Sequence, residues 1–269
     1  MFLAGKSMPS LDEIETTGTL LFLQGTTRIL LLPNQDIVKY GPRVRVEEAL
    51  AIQFVNQHTD VLAPRLRGVR VQHGTVLDKD GDTGSKARQT CIYMTRIPGD
   101  PLSELLLEMD ESTLSQIVDE VREQVKKLRS LQDEGYIGSV NHGVCLDAIF
   151  RPGRTGGPGP FASETAMNEF LLKNRGHSGY LPIDHHLLKF MNSKTHRIVF
   201  THADLAPRNI IVRDGHLSGI VDWQMAGWYP EYWESVKLMT TLSRDGEWFR
   251  HIEKILPLDY PRWLLYLRI

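Results

Sequence analysis

Four polar residues in the last third of the chain have types and a spacing that suit chemistry on a phosphate: His202, Asp204, Asn209 and Asp222. An apolar run at 198–200 ends in a polar loop that carries His202 and Asp204. A second run, 210–212, begins directly after Asn209 and meets Asp214-Gly215, a strong hairpin signal. A third, 217–221, delivers Asp222 at its end. The hairpin is expected to bring Asp222 back beside Asn209 and Asp204. Asn209 and Asp222 offer hard oxygens of the kind Mg²⁺ takes, with phosphates and water as its other ligands. Asp204 lies near such a metal without needing to bind it, free to accept a proton from an attacking hydroxyl. This H-x-D-x-x-x-x-N pattern, followed by a metal-binding Asp, is the arrangement of kinase-type phosphoryl transfer. Any one of these residues alone reads as a turn cap. All four in this order, around a hairpin, favour the chemical reading.

The longer stretch, Phe200-Thr201-His202 through Asp222-Trp223-Gln224-Met225-Ala226-Gly227-Trp228-Tyr229-Pro230-Glu231-Tyr232-Trp233-Glu234, resembles the catalytic core of the aminoglycoside phosphotransferase/choline kinase branch of the protein-kinase-like fold, and in particular its fungal-type phosphotransferases. Relatives usually carry Gly in place of Ala203 and Glu in place of Gln224; neither departure removes a metal ligand or the base. The resemblance implies a two-lobed α+β fold. An N-lobe of antiparallel sheet plus helix would span residues 1–97, and a mostly helical C-lobe with the catalytic loop, metal site and acceptor pocket residues 98–269. It implies transfer of the terminal phosphoryl group of ATP or GTP, with Mg²⁺, to a hydroxyl of a small molecule. Asp204 would be the base, and His202 would brace the loop by hydrogen bonding.

The elements that must position these groups are readable in order. A short acidic helix or lead-in at 11–17 precedes three short apolar segments, 19–24, 27–32 and 37–40, split by Gly25-Thr26 and by the turn-like 33–36. They read as an antiparallel meander. Lys39 sits on the third strand, where the resemblance has it pairing the nucleotide's phosphates. Only Gly25 marks the first turn, so backbone amides would cradle phosphate weakly there. Residues 46–58 read as a helix with Leu50, Phe54 and Gln57 on one face and Ala51, Ile52 and Val55 beside them. Glu47 and Glu48 suit its positive end. The resemblance asks one of them to hold Lys39, and the pattern Glu48-Ala49-x-Ala51 favours Glu48. Extended chain from 61 feeds a fourth strand, and 88–94 reads as the last strand of the sheet. The polar stretch 78–86 lacks the glutamate and flanking helices of a calcium loop. Met94-Thr95-Arg96-Ile97-Pro98-Gly99 resembles the family's hinge, where the backbone of Thr95 and Ile97 would read the adenine edge.

Beyond it, 101–107 reads as a short helix and 112–131 as a long amphipathic one. The stretch 136–150 is loop-like, 151–160 is rich in glycine and proline, and a helix follows Ser163 as N-cap. In the family such an insertion helps build the acceptor pocket; as a sequence it is equally a tolerated surface loop. After Asp222 there is no room for the activation segment of a protein kinase before a helix reaching 242, and this favours a small-molecule acceptor. The aromatics Trp223, Trp228, Tyr229, Tyr232 and Trp233 read as packing rather than a stacking platform. Glu231, Glu234, Asp245 and Glu247 could line a pocket for a cationic acceptor, although scattered surface acids need no such role. A brief helix at most closes the chain after 263–265.

With 269 residues, the chain can bury about three quarters of its unfolded surface. Its 41% apolar and 24% charged content is that of an ordinary globular protein. A net charge of -2 gives no reason to expect nucleic acid or an anionic membrane as partner. Two cysteines make no disulfide framework, and neither a secretory signal nor a spanning segment is evident, so the expectation is cytoplasmic. Two other readings stay open: a nucleotide-binding regulatory module without turnover, and an enzyme that uses the nucleotide for a different bond-forming step.

Overall fold

The computed structural model describes residues 8–77, 83–151, 156–174, 182–240 and 246–256. Ser10 starts the first helix, α1 (Leu11–Thr17), its hydroxyl accepting the Glu13 N–H at 3.2 Å. Strands β1 (Thr19–Gln24), β2 (Thr27–Leu31) and β3 (Asp36–Gly41) follow as a meander. Then come α2 (Val46–His58), β4 (Leu66–Leu77) and β5 (Thr83–Thr95). The five strands form one antiparallel sheet in the order β1-β2-β3-β5-β4. Strand β5 begins at Thr83, so the polar loop expected at 78–86 is shorter; its remainder lies outside the described residues. Lys39 is registered opposite Ile29 and Ile92 and shares their face of the sheet. Helix α1 covers the opposite face, where Ile14 joins Leu30, Val38, Tyr40, Cys91 and Tyr93.

Helix α2 lies under the Lys39 face. Its buried side chains are Glu48, Ala49, Ala51, Ile52 and Val55, whereas Gln57 is exposed. Of the residues read as its apolar side, Ala51, Ile52 and Val55 are buried, Leu50 and Phe54 are partly buried against the core, and Gln57 alone is not covered. The helix has a second neighbour: Phe54 packs on Phe200 and Trp228 of the C-terminal half, with ring centroids 5.0 and 5.9 Å apart. A helix pressed from two sides shows no single apolar stripe.

The C-terminal half comprises β6 (Asp100–Pro101), α3 (Leu102–Leu105), α4 (Glu111–Arg129), α5 (Glu164–Lys173), α6 (Pro182–Met191), β7 (Ile198–Thr201), β8 (Ile210–Arg213), β9 (His216–Ile220), β10 (Gly227–Pro230), α7 (Trp233–Thr240) and α8 (Gly246–Ile255). Asp110 caps α4 and Ser163 caps α5, each taking the backbone N–H three residues on. Strands β8 and β9 form the expected hairpin, with Asp214 at φ 52° and Gly215 at φ 77°, both in the left-handed region that a two-residue turn of this kind requires. Strand β10 pairs with β7, and β6 with β8. One core runs through both halves, from Ile52, Ile92 and Met94 to Leu102, Val121, Phe200, Ile220 and Trp223.

Two helices, α6 and α8, go beyond the sequence reading. The latter turns a short stripe, Trp248, Ile252 and Ile255, inward. Helix α7 is described as far as Thr240, and the helix suggested after 263 lies outside the described residues, as does the centre of 151–160. No helix among the described residues is long and apolar enough to cross a membrane.

Gly227 is where β10 meets the loop after α4. The Trp228 and Gly138 backbones exchange hydrogen bonds at 2.8 and 3.0 Å, and a Cβ on Gly227 would stand 2.4 Å from the Gly138 carbonyl oxygen. That approach is backbone on backbone and cannot be relieved by a rotamer. Gly227→Ala should cost about 1–3 kcal/mol, as overpacking does. A denaturant midpoint equal to that of the unsubstituted chain would show that the two segments separate freely.

Candidate active site

Lys39 lies across the boundary between the halves. Its ammonium is 2.9 Å from Glu48 on α2 and 2.7 Å from Asp222, which follows β9. Burial alone would pull the pKa of this amine down; Glu48 and Asp222 push it up by more, so Lys39 stays charged. Of the two candidate acids in the first turn of α2, Glu48 is the buried one that meets Lys39; Glu47 is half-buried.

The loop between β7 and β8 folds back on itself. Asp204 is 5% exposed, and the Asn209 amide donates to its backbone carbonyl and to Oδ2, both at 2.9 Å. The Asn209 carbonyl accepts the Val221 N–H at 2.9 Å, which ties the loop to the segment carrying Asp222. His202 is fully buried, and burial lowers its pKa. A neutral ring fits both of its contacts: Nε2 donates to the Val221 carbonyl at 3.1 Å, and Nδ1 accepts the Asp204 N–H at 3.2 Å. His202 therefore joins the two segments and faces no open space. Ala203 and Asp222 both sit at φ 65°, a left-handed conformation that costs a residue with a side chain about 1–2 kcal/mol.

Hard oxygens remain unengaged. Asn209 uses its amide nitrogen for Asp204, and Asp222 uses Oδ1 for Lys39; Asn209 Oδ1 and Asp222 Oδ2 hold no hydrogen bond among the described residues. One amide and one carboxylate oxygen, on segments joined by a backbone hydrogen bond, match the sparse protein donor set that Mg²⁺ takes beside phosphates. No cluster of three or more His, Cys, Asp or Glu suited to a metal occurs among the described residues, and a site of this kind does not require one.

At the hinge, the Thr95 N–H donates to the Arg65 carbonyl at 2.9 Å and its hydroxyl accepts the Arg65 N–H at 2.8 Å, so its side chain is committed away from any ligand. The Ile97 N–H has no partner among the described residues. The Ile97 side chain lies against Gly219, where an added Cβ would be 3.1 Å from it.

Two residues matter here in roles that sequence reasoning did not give them. Arg208 reaches both oxygens of Asp204 from Nη2, at 2.8 and 2.6 Å. Its i, i+4 spacing from Asp204 was the available signal. Glu234, grouped with surface acids in the sequence, is 4% exposed and accepts the N–H groups of His202 and Ala203 at 2.8 and 3.1 Å. It holds the loop from inside the protein. Glu231 is bound by Arg129 at 3.6 Å and Arg197 at 3.0 Å, while Asp245 and the Glu247 side chain lie outside the described residues.

A five-stranded sheet with a helix on each face, and a helical second half that carries this loop, define the protein-kinase-like α+β fold, and solved structures share it. A ternary complex of aminoglycoside phosphotransferase APH(4)-Ia with ADP and hygromycin B superposes with a TM-score of 0.61 at 13% identity, covering 95% of this chain and 86% of that one. The streptomycin–ATP complex of APH(2")-IIa gives 0.55 at 14%, covering 93% and 79%. The GDP complex of aminoglycoside 2'-phosphotransferase-IIIa gives 0.56 at 15%, covering 93% and 80%. A comparison with curated protein sequences finds no match. The sequence model of the phosphotransferase enzyme family matches residues 37–254, well over half of the chain, and the protein belongs to that family.

Burial pushes the Glu234 carboxyl up to about 7 from its ordinary 4.5, against the opposing effect of the two N–H groups. A folded-state value above the unfolded one gives stability that is complete below about pH 4.5 and is lost as the pH rises through about 7. Measured from pH 4 to 8, the unsubstituted chain should lose about 3 kcal/mol relative to Glu234→Gln, which does not titrate. A difference that stays flat with pH would mean that Glu234 ionises normally.

Proposed function

We propose that this protein transfers the terminal phosphoryl group of a nucleoside triphosphate, ATP or GTP, to a hydroxyl of a small molecule. The carrying observation is the convergence of a buried, oriented carboxylate, Asp204, with unengaged oxygens of Asn209 and Asp222 and with the ammonium of Lys39. In this reading Asp204 receives the acceptor's proton while the acceptor oxygen bonds to phosphorus and the bond to the departing diphosphate breaks. Asn209 and Asp222 would hold Mg²⁺, which offsets the negative charge of the phosphates when bound. Lys39, kept in position by Glu48, would receive phosphate oxygens. His202 keeps the loop in shape. In the same reading the Ile97 N–H and the Thr95 carbonyl would read the nucleotide's base, and the division between a nucleotide-binding lobe and an acceptor-binding lobe would fall at residue 97. The ADP, ATP and GDP complexes of the structural neighbours favour nucleotide use without choosing between adenine and guanine.

A small acceptor is favoured by the chain after Asp222. It makes a short 3₁₀ turn, Trp223–Met225, and immediately enters β10 against β7. The segment that in a protein kinase would shape a docking surface for protein substrates is here a buried strand. Buried, unpaired Cys91 and Cys145 suit a reducing cytoplasm.

Two substitutions separate the assigned roles. Asp204→Asn should keep the thermal stabilisation given by Mg-nucleotide and lower turnover by about 10²–10⁴-fold; near-normal turnover would reduce Asp204 to a scaffold residue. Asp222→Ala should abolish the Mg²⁺-dependent part of that stabilisation. An undiminished Mg²⁺ effect in this variant would remove Asp222 from the metal site.

A further inference from the structure

The acceptor side of the candidate site carries a cation. Arg208 lies on the 3₁₀ turn Pro207–Asn209, between the proposed base and the proposed metal ligand. Its side chain is 52% exposed, whereas that of Asp204 beneath it is 6% exposed. A hydroxyl approaching Asp204 therefore meets the guanidinium first. Only Nη2 is used, on the two Asp204 oxygens; Nε and Nη1 have no partner among the described residues, which leaves three N–H donors uncommitted. Meanwhile, of the acids that would attract a positively charged acceptor, those among the described residues are occupied. Asp204 is matched by Arg208, Glu231 by Arg129 and Arg197, and Glu234 by backbone N–H groups inside the protein.

We propose that Arg208 sets the charge class of the acceptor: the compound whose hydroxyl reaches Asp204 is uncharged or anionic beside that hydroxyl, and is not a polycation. This rests on the phosphotransferase reading. Guanidinium N–H groups bind oxygens of carboxylate, phosphate or neighbouring hydroxyls, and they repel ammonium groups. It also separates this protein from its structural neighbours, whose complexes hold streptomycin and hygromycin B.

The test uses the full chain loaded with Mg-ADP at low ionic strength, and titrates two probes by calorimetry: streptomycin as the polycation and inorganic phosphate as the oxyanion. Wild type should bind streptomycin only weakly, with a dissociation constant above about 1 mM. Arg208→Glu should bind it about tenfold more tightly and bind phosphate about tenfold more weakly. Should the reversed charge prevent folding, Arg208→Gln should give the same two directions at about threefold each. Micromolar binding of streptomycin by wild type overturns the proposal, and so does either affinity staying unchanged in a folded variant. Failure of wild type to bind Mg-ADP at all would instead overturn the phosphotransferase reading on which the proposal stands.

Discussion

The arrangement of this protein depends on one buried ammonium. Lys39 is 6% exposed and takes a carboxylate from its own half, Glu48, and another from the opposite half, Asp222. A buried cation without partners is costly enough that it would surrender its proton. Two carboxylates keep it charged, and in doing so they fix the distance between β3, α2 and the end of β9. Removing one partner of a buried pair typically costs about 3–5 kcal/mol, because the other charge is left uncompensated. The contact also defines where phosphate would compete, since an ammonium already matched by carboxylates can exchange one of them for a phosphate oxygen without losing its charge balance.

The loop carrying His202, Asp204 and Asn209 is held in a conformation it would not adopt alone. Ala203 and Asp222 both occupy left-handed backbone. Such residues persist where the surroundings over-determine them. Here the surroundings are Glu234 below Ala203, His202 linked to Val221, and the Asn209 carbonyl linked to the Val221 N–H. Glu234 is in turn fixed by its helix. Trp233 and Lys237, on either side of it in α7, both donate to the fully buried Asp147, each at 2.9 Å. The loop carrying Asp147 thus supports the helix that supports the loop carrying Asp204.

Local signals carried much of this into the sequence. The Asp-Gly turn, the Ser163 cap, the helix at 46–58 and the three-strand meander all arise from interactions a few residues long, and periodicity or turn chemistry reports them. The spacing of His202, Asp204 and Asn209 was legible because one loop holds all three. Glu234 was not, since a lone acid in a charged neighbourhood looks like surface, and its burial depends on strand and loop packing over 30 residues away in sequence. The partners of Phe54 were not legible for a similar reason, because Phe200 and Trp228 belong to the other half. Arg208 carried a signal in its spacing from Asp204, but that spacing gives meaning only once the turn at Pro207 is known to point both side chains the same way.

The short path from Asp222 to α7 constrains how such a site can be controlled. In kinases with a long segment at this point, ordering of that segment by phosphorylation decides whether the metal-binding Asp is in place. Here Trp228 and Tyr229 are fully buried and β10 is paired with β7, so the chain after Asp222 has no disordered alternative without opening the core. The catalytic loop, Glu234 and β10 then behave as one packed unit. What remains adjustable is the junction at Lys39, where an electrostatic contact rather than a covalent path joins β3 to Asp222. On the proposed reading, control by ligands would be concentrated at that junction, and selection of the acceptor would fall to Arg208, the exposed side chain that meets Asp204.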